Sequence, residues 1–149
     1  MKSLKLADLT NEIQSALKAG SRERVSSLRL LSTAIRNAEV AKGGDLTDQE
    51  AIEVAGREVR KREEAAGEYE RARRADRAGA ERAEAEILRE FLPDPLSPQE
   101  LDALVTEAIA AAGASGPGDM GKVMGALMPK VRGRADGKEV SELVRKRLA

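Results

Sequence analysis

A chain of 149 residues is long enough for one domain or for two small ones, each with a modest core. It has no cysteine and no histidine, which excludes disulfides, thiolate metal sites and a cysteine nucleophile, and removes the commonest general base and metal ligand. Lys plus Arg and Asp plus Glu each number 26, and this neutral balance argues against a protein that coats nucleic acid indiscriminately.

Hydrophobic residues are 41% of the chain, but 25 of them are alanine and only Tyr69 and Phe91 are aromatic. Slender, closely packed helices suit that composition, and no strand is predicted. No apolar run approaches the roughly 20 residues that span a bilayer. The amino terminus, MKSLKLADLTNEI, is amphipathic with early acids, unlike a signal peptide, so a cytoplasmic location is expected.

In chain order, Leu4, Leu6, Leu9, Ile13, Ala16 and Leu17 outline a short amphipathic helix that stops at Gly20. Ser21 starts a second, striped by Val25, Leu28, Leu31, Ile35 and Ala38 and closed by Gly43 and Gly44. Thr47 and Glu50 form a T-x-x-E capping box, opening a long third helix with Ile52, Ala55, Val59 and Ala66 inward. It is expected to reach Ala75 and to break at Asp76 or Gly79. The alternating charges of residues 57–77, including KREE and RARR, predict a solvated surface laced with i,i+4 ion pairs. A fourth helix then buries Ala83, Ile87, Leu88 and Phe91.

Leu92-Pro93-Asp94-Pro95-Leu96 cannot be helical throughout, because each proline biases the residue before it towards extended geometry. The boundary belongs there, giving a four-helix lobe over residues 1–92 and a three-helix lobe over 93–149 joined by a proline-containing hinge. Ser97-Pro98-Gln99-Glu100 is the strongest helix start in the chain. Leu101, Leu104, Val105, Ala108, Ile109 and Ala112 line that fifth helix, and Gly113 ends it.

The sixth helix carries the most informative pattern. Met120, Val123, Met124, Leu127, Met128 and Val131 share one face at helical spacing. The opposite side presents Gly121, Lys122, Gly125, Ala126, Pro129 and Arg132: two glycines four apart with cations beside them. Pro129 crowds the carbonyl of Gly125, the residue best able to adjust, so a bent last turn is predicted. Gly133 should cap it, and Asp136 with Glu139 should form a D-x-x-E box opening a last helix that buries Val140, Leu143, Val144 and Leu148. Residues 93–118 hold four acids and no bases, whereas 119–149 hold eight bases and four acids, so cations concentrate on the last two helices.

Taken together, LRLLSTAIRNAE at 28–39, FLPDPLS at 91–97 and GKVMGALMPKVRGRADGK at 121–138 resemble the YqeY-like proteins through essentially the whole chain. The second lobe is similar to the tail domain of the B subunit of tRNA-dependent amidotransferase (GatB). That resemblance implies an all-α fold and a module that holds the tRNA body while other domains do the chemistry. The positions matching the tail's pattern are Gly121, Lys122, Gly125, Lys130, Gly133 and Lys138. Asp94 and Pro95 depart from the family pattern, where glutamate or another polar residue is followed by glutamine, which implies a stiffer hinge. The amidotransferase's large catalytic portion has no counterpart, so a carbon–nitrogen ligase label with glutamine as amido-N-donor would travel with the family name alone.

Three functional readings stay open. The first is binding of tRNA or other structured RNA, beside the amidotransferase subunits or another tRNA-handling enzyme, through Gly121, Lys122, Gly125, Lys130, Arg132, Arg134 and Lys138. The shortage of aromatics excludes a stacking platform, so backbone and shape would be read, and DNA is not expected as a partner. The same glycines equally suit close helix packing. The second reading is a protein adaptor docking a partner through residues 28–39, with Arg29, Asn37 and Glu39 at the edge of the contact. The third, an autonomous enzyme, is poorly supplied: Glu84 and Glu86 point apart on a helix, and Asp119 and Asp136 cap helices. No cofactor, metal site or catalytic residue is predicted.

Overall fold

The computed structural model describes residues 1–149 and contains seven α-helices, one short 3-10 turn and no strand. It divides into two compact units, Met1–Pro93 and Asp94–Ala149, linked through the proline-containing stretch. The first holds α1 (Leu6–Lys18), α2 (Arg22–Lys42), α3 (Asp48–Arg71) and α4 (Ala75–Arg89). The second holds α5 (Pro98–Ala112), the 3-10 turn (Pro117–Asp119), α6 (Met120–Val131) and α7 (Gly137–Leu148).

In the first unit α3 and α4 make the most extensive pair, α2 lies against both, and α1 packs on α2. Leu9, Leu28, Leu31, Ile35, Ala55, Leu88 and Phe91 form the centre of its core. Thr47 makes the expected box: its hydroxyl accepts from the Glu50 amide at 3.1 Å, and the Glu50 carboxylate accepts from the Thr47 amide at 2.9 Å. Leu17, expected inside, is 53% exposed. A helix packed mainly on one neighbour needs only a narrow stripe, and Ala16 beside it takes the inward slot.

The α3–α4 turn comes earlier than expected, at Ala72-Arg73-Arg74, and Gly79 lies inside α4. The Arg74 amide bonds the Tyr69 carbonyl and the Arg73 amide bonds the Glu70 carbonyl, with Arg73 left-handed at φ 60. This is a Schellman closure, the one usually built on glycine. The earlier start puts Ala78 and Ala85 fully inside, seven residues apart, while Ala83 is half-buried. Small buried side chains there suit the close α3–α4 pairing.

The charged run 57–77 is largely exposed, as expected, and holds the i,i+4 pair of Glu58 and Arg62, but it also pairs across to α4. Glu70 pairs with Arg82 at 2.5 Å and Glu63 with Arg89, two rungs seven residues apart on antiparallel helices. Arg62 is buried, bonding Glu58 one turn back at 2.5 Å and lying 3.6 Å from Glu84 across the pair. Burial holds the Glu84 carboxyl above its usual range, helped by Glu81 and opposed by Arg62.

In the second unit the Ser97 hydroxyl accepts from the Glu100 amide at 3.0 Å with Pro98 in the first turn, as the sequence predicts. Val105, Val123, Leu127, Val131, Val140 and Val144 form its fully buried centre, with Met120, Met124 and Met128 packed around it. α6 runs through Pro129 to Val131, and Gly133 is left-handed at φ 75. At the start of α7 the Asp136 carboxylate accepts from the Lys138 amide at 3.2 Å, one position earlier than the box with Glu139 requires.

Candidate nucleic-acid interface

The geometry of α6 follows from its two-sided sequence. Its apolar stripe is clamped by α5 and α7, which turns Gly121, Lys122, Gly125, Ala126 and Pro129 to solvent. A Cβ built on Gly121 or Gly125 meets nothing within 4 Å, so within the second unit neither glycine serves close helix packing. An exposed glycine inside a helix costs about 0.5–1 kcal/mol relative to alanine. Here no internal contact offsets that cost. Pro129 adds a second feature: lacking an amide hydrogen, it leaves the Gly125 carbonyl without its helical donor on the same bare side.

The remaining predicted cations are spread along the end of α6 and beyond it. Lys130 sits on the α5 edge with its ammonium 3.7 Å from Glu107, both side chains more than half exposed. Such a pair is weak and easily exchanged. Arg132 is exposed just past the helix. Lys138 is exposed in the first turn of α7. Arg134 is committed elsewhere: its Nε donates to the Asp94 carbonyl at 2.9 Å, its Nη2 lies 3.8 Å from Glu100, and its own carbonyl accepts from the Leu96 amide at 2.8 Å. It staples the entry segment of the unit to the α6–α7 connector. Arg147, on α7, similarly bonds Asp102 and Thr106 of α5, each at 2.6 Å.

The acids of α5 therefore take up part of the positive charge that the sequence concentrates on 119–149. What stays open is narrower: the bare side of α6 around Lys122, flanked by Lys130, Arg132 and Lys138. Arg145 and Lys146, exposed near the end of α7, escape the sequence reading because no glycine pattern marks them. On the first unit, Arg29 and Asn37 are exposed two turns apart on α2 and Glu39 is half-buried, so these three do not converge on one point.

Fold and surface define the class as a small all-α protein whose three-helix second unit presents an uncovered, cation-flanked helix side. The chain belongs to the YqeY-like family: the family model described as "Yqey-like protein" matches residues 6–148. It is also similar to the E subunit of the Glutamyl-tRNA(Gln) amidotransferase of Thermococcus gammatolerans, 50% identical over 48 residues, which are 32% of this chain and 8% of that protein. Its counterpart in Methanopyrus kandleri is 69% identical over 29 residues, 20% of this chain and 4% of that protein. The chain thus matches less than a tenth of the length of these relatives, and the likeness to the amidotransferase lies in a segment of it.

Proposed function

We propose that this protein is an accessory module that binds tRNA or another structured RNA beside the amidotransferase or another tRNA-handling enzyme. The RNA-facing part is residues 93–149. The observation that carries the reading is the open side of α6, where a Cβ added to Gly121 or Gly125 would meet nothing within 4 Å and Lys122 lies exposed beside them. A ribose-phosphate strand approaches a backbone with no side chain in the way, and Lys122, Lys130, Arg132 and Lys138 supply the phosphate contacts. The Gly125 carbonyl, free of a helical donor, suits a 2′-hydroxyl, which RNA has and DNA lacks. Arg134 acts indirectly, by fixing the connector that carries Arg132 and Lys138. The segmental likeness to part of a tRNA-dependent amidotransferase points to the same class of partner.

Titration of labelled bulk tRNA at two salt concentrations tests this, using a Lys122→Glu, Lys138→Glu variant and a Gly121→Leu, Gly125→Leu variant. Neutralising about three phosphates predicts weak binding, micromolar or looser, that falls steeply with salt. Both variants should lose it while keeping their helical content, since neither touches the core. Absence of tRNA retention at low salt, or variants that bind like the parent protein, would refute the proposal.

A further inference from the structure

We infer that the groove between the end of α1 and the first half of α2 docks an acidic amphipathic helix of a protein partner. The groove encloses about 560 Å³, and its lining includes Leu17, Arg22, Val25, Arg29, Leu30 and Thr33. Leu17 and Leu30 are 53% and 47% exposed, two of the few large apolar side chains left in water. Both line this one trough rather than standing singly, which marks a contact surface.

The charges around the trough say what fits. Part of the first unit's positive charge is already paired: Lys2 and Arg24 with Glu12 and Glu90, Lys42 with Glu50, Arg62 with Glu58, Arg82 with Glu70, Arg89 with Glu63. The side chains of Arg22, Arg29 and Arg36 are exposed and hold no hydrogen bond or ion pair, and unlike the other unpaired cations of the unit (Lys5, Lys18, Arg57, Arg71 and Arg73) they share α2, with Arg22 and Arg29 lining the groove itself. They recur every seven residues, so they line one side of α2 at steps of about 10.5 Å. A helix laid along α2 repeats its own side chains at the same step. Carboxylates seven apart on such a helix meet successive guanidiniums, while apolar residues between them enter the trough between Leu17 and Leu30. Polynucleotide would leave those leucines uncovered, and two-fold self-association would bring arginine against arginine.

The test places a photo-reactive benzoylphenylalanine at Thr33 of the full-length protein in its own cells and sequences the peptide it captures. The expected product is a protein segment with acids and apolar residues at helical spacing, captured equally after ribonuclease treatment. Capture should fall at least about tenfold in Arg22→Glu, Arg29→Glu and in Leu30→Asp, and persist in Arg22→Lys, Arg29→Lys. All these positions are exposed, and an unchanged melting temperature verifies each variant. Cross-linked nucleotides, a second copy of this chain, a neutral or basic peptide, no product, or a product indifferent to charge reversal would each overturn the inference. Repeating the capture in the Lys122→Glu, Lys138→Glu background separates this surface from the α6 one.

Discussion

Arg73 is the one residue other than glycine that adopts a left-handed backbone in this chain. Gly20 and Gly113 close α1 and α5 with the same pair of amide bonds that Arg73 closes α3 with, so the three sites differ only in side chain. The left-handed conformation costs an L-residue roughly 1–2 kcal/mol, and part of the gain from glycine returns as entropy of the unfolded chain. Arg73→Gly should therefore raise stability by about 0.5–1 kcal/mol, read as a higher urea midpoint with unchanged slope. A lowered midpoint would mean that the arginine side chain supplies something beyond the turn. The two glycine closures are legible in the sequence; the third is not, because the RARR run holds no residue that announces a stop.

At the scale of elements, the caps and stripes decide most of the architecture. Ser97 holds the first turn of α5 by one hydrogen bond and Pro98 presets its entry, so Ser97→Ala should lower stability by about 1 kcal/mol, and Ser97→Gly by only a few tenths, as thermal melts of the two variants would report. Equal losses would show that the cap bond is not what holds the helix start. The run Leu28-Arg29-Leu30-Leu31 shows what a stripe can and cannot say. Three leucines in four residues cover more of the circumference than one packed side can bury, so one had to face out. That much is legible. Which one depends on α3 and α4, against which Leu28 and Leu31 are buried while Leu30 turns to the groove.

Across the first unit as a whole, ion pairs join segments far apart in sequence. The Lys2 amide bonds the Glu90 carbonyl, the Lys2 ammonium reaches Glu12, and Arg24 bridges Glu12 and Glu90 at 3.1 and 2.6 Å, tying the amino terminus, α1, α2 and the end of α4. Lys2 and Arg24 hold the Glu12 carboxyl below its usual range, and Arg24 chiefly does the same for Glu90. Glu50 is pushed down to about 2 by Lys42 and by the Thr47 cap. A depressed carboxyl stabilises the fold above its ordinary value of 4.5, and the contribution fades as pH falls towards the folded value, here about 2 for Glu50. Glu84, raised by burial, acts in the opposite sense and is outnumbered. The melting temperature should accordingly drop between about pH 4.5 and 2, and drop less in Arg24→Gln, which removes the partner shared by Glu12 and Glu90. A flat acid profile in the parent protein would show that these pairs do not stabilise the folded state.

Most of the helices, the Thr47 and Ser97 caps, the glycine closures and the two-sided pattern of α6 are set by local order, since capping and periodicity act within a turn or two of the residues that encode them; the Arg73 closure of α3 is the exception. Charge partnership is not local. The cation excess of 119–149 is visible as a string of letters, but its division into a stapled Arg134, a loosely held Lys130 and an open Lys122 depends on where Asp94, Glu100 and Glu107 come to lie. The exposure of Leu17, which periodicity places inside, belongs to the same class. A periodic pattern says which residues share a face, and only the neighbours that arrive from elsewhere in the chain decide how wide a face is covered.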